Sequence, residues 1–90
     1  MKVTFYKQPD GRKEVLEIQN VYPEDAEFFE NNNIHISMEE LAGQFVVYAD
    51  TGKKDECGEP VEFVELALGR SCQEVLGSLR EKCEASLQCL

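Results

Sequence analysis

The sequence predicts an α+β fold: a four-stranded antiparallel sheet in the order ββα(turn)ββα, with a long C-terminal helix packed on one face. Three observations predict it. Two N-terminal stretches alternate apolar and polar residues on either side of Pro9-Asp10-Gly11, a turn signature. Two more apolar stretches, 44–50 and 61–68, flank a polar loop. Residues 71–90 carry apolar side chains at helical spacing behind a helix-capping pattern.

Residues 2–8 place Val3 and Phe5 on one side and Thr4 and Tyr6 on the other. Residues 13–21 form the second strand. A register with Gln8 opposite Lys13 sets Phe5 against Leu16, Val3 against Ile18 and Lys7 against Glu14, which joins apolar groups and unlike charges. Tyr22-Pro23-Glu24-Asp25 opens a short helix over 23–31, because proline suits the first helical position and acids suit the positive end of the dipole. Ala26, Phe28 and Phe29 form its buried side, and Asn31-Asn32-Asn33 ends it. Ser37 with Glu40 reads as a capping box and Ile36 with Leu41 as a hydrophobic staple, so a single helical turn is expected before Gly43. Strands follow at 44–50 and 61–68, with 51–60 as a loop.

The last helix covers 71–88, about 27 Å. Ser71 caps it and Glu74 completes the box. Cys72, Val75, Leu76, Leu79, Cys83, Leu87 and Leu90 share one face. Gly77 stands off that face, where it either marks a close approach by another backbone or costs about 1 kcal/mol of helix propensity.

Ninety residues and 10.2 kDa make one domain, 1–90. Eighteen acids against nine Lys and Arg give a net charge of −9. The excess lies in one segment, since Glu14 to Gly52 holds nine acids and no Lys or Arg. Such a field repels phosphates, so direct nucleic-acid binding is disfavoured, and it attracts basic protein surfaces. The longest apolar run is Phe45 to Ala49, five residues, too short for a membrane helix. Met1 to Lys7 alternates and does not form an apolar secretory core. A cytoplasmic setting is expected, with Cys57, Cys72, Cys83 and Cys89 as reduced thiols. Cys72 and Cys83 belong to the core face, and Cys57 and Cys89 are the thiols expected at the surface.

Asp50-Thr51-Gly52 after an apolar strand resembles the Asp-Thr-Gly of retroviral-type aspartic proteases, and Leu66-Ala67-Leu68-Gly69 resembles their apolar-apolar-Gly segment. In that family the Asp is a catalytic base that shares a proton with its dimer twin. Only 18 residues separate Asp50 from Gly69, too few for the strands and flap such an enzyme needs, so a strand-closing turn is the expected role. His35, the single histidine, lies between two isoleucines with no nucleophile pattern beside it. Cys-x-x-Cys, His-x-x-x-His, calcium-loop and phosphate-loop patterns are missing. No catalytic residue, metal ligand or cofactor is therefore expected.

The two later strands are apolar at both parities. Phe45, Val47 and Ala49 alternate with Val46 and Tyr48, and Val64, Leu66 and Leu68 alternate with Val61 and Phe63. One long helix shields one face only. Either the short helix and the 34–41 turn cover the second face, or it stays open as an interface carrying Tyr6, Val15, Val46, Tyr48 and Phe63. The acids Glu24, Asp25, Glu27, Glu30, Glu39 and Glu40 are expected to face a basic partner. The expected function is that of a small cytoplasmic accessory or regulatory protein, acting by contact with a protein partner or a second copy and without catalysis. The alternative is a DNA-mimicking inhibitor of a nucleic-acid-binding protein, with those six acids as the mimic.

Overall fold

The computed structural model describes residues 1–7 and 11–88. The expectations for Gln8, Pro9, Asp10, Cys89 and Leu90, and for the side chain of Leu87, fall outside these. Strands β1 (Lys2–Lys7) and β2 (Arg12–Glu17) form the N-terminal hairpin. Helix α1 (Pro23–Asn31) follows, then β3 (His35–Leu41), β4 (Gln44–Lys54), β5 (Pro60–Leu66) and α2 (Cys72–Gln88). The fold is α+β, but the sheet has five strands in the order β2-β1-β3-β4-β5. It is mixed, because β1 and β3 run parallel while every other neighbouring pair is antiparallel. The expected four-stranded antiparallel sheet is corrected on both counts.

The extra strand comes from residues 35–41, expected as a helical turn. Ile36 and Met38 are buried while His35 is exposed and Ser37 and Glu39 are only partly buried, so residues 35–39 obey a period of two. Ala42 and Gly43 both have positive φ, 51° and 79°, the two-residue hairpin geometry that suits the twist of flanking strands. That turn sets Leu41 opposite Gln44 and locks β3 onto β4. Ser37 and Glu40 then fall on opposite faces and cannot cap each other. Pairing with strands on both sides overrides a local capping signal worth about 1 kcal/mol.

The N-terminal hairpin is also corrected in register. Val3 faces Leu16 and Phe5 faces Glu14, two residues from the expected alignment. A slip of two keeps every side chain on its own face. Lys7 now faces Arg12, and its ammonium reaches Glu14 diagonally at 3.0 Å. At the open end Met1 donates to Ile18 O at 2.8 Å, and Ile18 N–H returns a bond to Met1 O. A third correction concerns β4, which continues past Asp50 to Lys54 through a register shift.

The helix boundaries follow their local chemistry. Pro23 opens α1 with Glu24 and Asp25 in the first turn, and Asn33 leaves it at φ 53°. Ser71 Oγ accepts the Glu74 N–H at the start of α2. Both helices lie on the same side of the sheet. The core joins Val3, Ile36, Met38, Val47 and Ala49 of the sheet to Phe29 of α1 and Val75, Leu76, Leu79 and Cys83 of α2. Burying a large apolar side chain of this kind stabilises by about 1.5–3 kcal/mol.

An ion pair fixes how the helices meet. Asp25 is only 3% exposed, although it sits in the first turn of α1. Arg80 of α2 donates Nε to its Oδ1 at 2.5 Å and Nη1 to Glu84 Oε2. Gly77 stands at the same crossing, where an added Cβ would lie 3.4 Å from Asp25 Oδ2. The neighbour at Gly77 is thus a side-chain atom and not another backbone. Removing Arg80 leaves a buried carboxylate without its cation, whereas removing Glu84 leaves the pair intact. Arg80→Met should destabilise the fold by about 3 kcal/mol and Glu84→Gln by less than about 1 kcal/mol, measured by urea unfolding at neutral pH.

Candidate functional site

With both helices on one side, the other face of the sheet carries none. The register sets its side chains in rows across the strands. Val15, Thr4, Ser37, Tyr48 and Val64 form one row, and Lys13, Tyr6, Glu39, Val46 and Leu66 form the next. His35, Asp50 and Glu62 continue the series on β3, β4 and β5. The middle of the face is polar. Its apolar surface gathers on β4 and β5, where Val64 is 47% and Leu66 42% exposed beside Tyr48 and the covered Val46. Val15 stands apart on β2 at 71% exposure.

Between these regions lies an open depression of about 340 Å³ lined by Tyr6, His35, Ser37, Glu39, Tyr48 and Asp50. Tyr48 Oη donates to Glu39 Oε2 at 3.3 Å. Desolvation raises the Tyr48 hydroxyl pKa, and the Glu39 carboxylate raises it further. His35 Nε2 shares a hydrogen bond with Thr4 Oγ1 at 3.1 Å, and the Lys13 ammonium lies 5.6 Å from the Tyr6 ring centre. Ser37, His35 and Asp50 are the residue types of a hydrolytic triad, and they share this face. They are not arranged as one. The imidazole bonds Thr4, and Asp50 Oδ1 accepts the Gly52 N–H at 2.8 Å. Among the described residues no group of three His, Cys, Asp or Glu could hold a metal ion.

The Asp-Thr-Gly segment is a bulged strand. Gly52 takes φ 72°, and Thr51 Oγ1 donates to Val61 O of β5 at 2.9 Å. These contacts serve the β4–β5 connection.

Of the five expected interface residues, Tyr48 belongs to the apolar patch on β4, while Val46 beside it is buried. Tyr6 and Val15 lie on the same face, across its polar middle. Phe63 does not lie there. It pairs with the fully buried Ala49 and packs against the core beneath the helices. Both parities of β5 are apolar, so the sequence alone left its facing open. Val64 and Leu66 were the missed pair, and the signal for them is Glu65 between them, pointing to α2. The six expected acids do not share a surface. Glu24, Glu27 and Glu30 are exposed on α1, Asp25 is internal, Glu39 is on the helix-free face and Glu40 turns the other way at the β3–β4 hairpin.

At the β5 edge of the sheet side chains occupy two outward carbonyls. Antiparallel pairing points alternate backbone groups outward, here those of Glu62, Val64 and Leu66. Lys82 Nζ reaches Val64 O at 3.5 Å, and Arg70 Nη2 donates to Leu66 O at 3.1 Å. Glu65 holds both cations, Lys82 at 2.5 Å and Arg70 in direct contact. Their hydrogen bonds hold the Glu65 carboxyl below its ordinary pKa.

A separate apolar groove of about 350 Å³ opens on the helix side, between the start of α2 and β1–β2, lined mainly by Phe5, Leu16, Met38, Phe45 and Val75. Cys57 is exposed in a turn that Asp55 Oδ1 closes by accepting from the Cys57 and Glu59 N–H groups, each at 2.9 Å. Burial pushes the Cys72 and Cys83 thiols up in pKa. Comparison of this chain with family models, curated proteins and solved structures found no match.

Because Glu65 has a depressed pKa in the fold, its stabilisation is present at neutral pH and is lost as pH falls through the folded value. Glu65→Gln should cost about 1 kcal/mol at pH 7, and the difference from the parent should vanish below the usual carboxylate range. Denaturant midpoints across pH 2.5–7, taken as rough limits of carboxylate titration, check this.

Proposed function

We propose that this chain is a non-catalytic accessory protein of the cytoplasm that docks a protein partner on its helix-free sheet face. The observation that supports it most is the patch of Tyr48, Val64 and Leu66, apolar and left uncovered by either helix. Glu39, Asp50 and Glu62 border it. An apolar centre with an acidic border suits a partner surface with a complementary apolar centre and a basic rim.

The dispersal of Glu24, Asp25, Glu27, Glu30, Glu39 and Glu40 over the fold gives DNA mimicry no continuous track of charge. Partner capture from a cell extract tests the two surfaces directly. Val64→Glu should abolish capture and shift the melting temperature by no more than about 2 °C, since the site is half exposed. The triple variant Glu24→Gln, Glu27→Gln, Glu30→Gln should retain it. Capture that survives Val64→Glu and fails in the triple variant would move the docking surface to α1 and overturn the reading.

A further inference from the structure

The two edges of the sheet differ, and the difference concerns strand backbone, not the face just described. At β5 the outward carbonyls of Val64 and Leu66 are occupied by Lys82 and Arg70. At β2 the outward residues are Lys13, Val15 and Glu17, because Met1 and Ile18 exchange both their hydrogen bonds and the alternation runs from there. Among the described residues nothing bonds these outward N–H and C=O groups, and β1 is the only strand beside β2. An exposed strand edge of this kind is a template for a further strand.

We infer that the occupant is a second copy of this chain, paired β2 to β2 in antiparallel fashion about a two-fold axis at Val15. The β2 edge is self-complementary. In that register Val15 faces the partner's Val15. Lys13 faces the partner's Glu17, and Glu17 faces the partner's Lys13, so unlike charges meet at both ends. These three positions are the ones whose backbone groups point outward, so about six hydrogen bonds form, two for each facing pair. Moving the axis to residue 14 would set Glu14 directly against Glu14, a like-charge pair that opposes the alternative. Glu17 Oε1 is held by the Met1 ammonium at 2.9 Å, which leaves Oε2 for the partner's Lys13.

The symmetry closes the assembly. A two-fold pairing uses the same edge on both copies and so closes on itself as a ten-stranded dimer, while at the β5 edge Lys82 and Arg70 occupy two of the outward carbonyls. The strand pair is short, so the dimer is weak and concentration-dependent. The inference does not rest on partner docking at Val64.

Sedimentation equilibrium from about 10 μM to about 1 mM reads the dimer. The parent chain should dimerise across that range. Val15→Pro removes an outward N–H that β1 does not use, and it should leave a folded monomer. Lys13→Glu should weaken dimerisation at least about tenfold by placing two like-charge pairs across the axis. Adding Glu17→Lys to Lys13→Glu should restore it, which no general loss of stability would do. If Val15→Pro fails to fold by circular dichroism, the charge-swap pair decides alone. A parent chain that is monomeric throughout overturns the inference. So does a dimer that Lys13→Glu leaves unchanged, or a swap that fails to restore it. Val64→Glu should not alter the dimer, and a dimer lost in that variant would place the contact on the sheet face instead.

Discussion

The buried carboxylate of Asp25 and its cation Arg80 join the two helices in one layer. A carboxylate taken out of water must meet a cation, and the cation it meets is on the other helix. That requirement ties α1 to α2 and so to the same side of the sheet. Phe29 then adds to the cluster of Val75, Leu76 and Leu79 rather than to the opposite face. Gly77 lies at the same crossing, where an added Cβ would come within van der Waals contact of Asp25 Oδ2. With two helices committed to one layer, the fold has two layers, and the side of the sheet bearing Tyr48 and Val64 is left to water.

The charge is organised by location, and its local uses differ. On α1 the acids Glu24, Glu27 and Glu30 face solvent and contribute to solubility. Around Glu65 the same chemistry is structural, since one carboxylate holds two cations that in turn satisfy the outward carbonyls of β5. On the sheet face Glu39 orients the Tyr48 hydroxyl. Net charge alone distinguishes none of these roles, because each depends on which backbone or cation lies within hydrogen-bond reach.

Much of the fold was legible in the sequence where local and global preferences agree. The heptad-like spacing of Val75, Leu76, Leu79 and Cys83, with Ser71 and Glu74 ahead of it, specifies α2 without reference to the rest of the chain. Pro23 and the three asparagines do the same for α1. Residues 35–41 were misread because Ser37 and Glu40 mimic a cap. The contrary evidence, an Ala42-Gly43 turn and a vacant slot beside β1, is visible only once strands are paired. The facing of Phe63 failed for a related reason: β5 is apolar at both parities, and the Ala49 partner that settles it is fourteen residues away. The open face was legible as a possibility in the surplus of apolar residues on β4 and β5. Which side the short helix would take was not, because that depends on Arg80, fifty-five residues from Asp25.

The parallel contact between β1 and β3 has a further consequence. The N-terminal hairpin with α1 and the β3-β4-β5 meander with α2 are each built from neighbours in sequence. The ladder from Thr4 with Ser37 to Tyr6 with Glu39 stitches them into one sheet, and the shared core and the contact between helices pack them together. Such a seam closes a loop of about thirty residues and forms after the local pieces. The chain is thus two half-modules zipped along a three-rung suture, and a nascent ribosome-bound copy would expose the unzipped rim of β1 until the meander emerges to cover it.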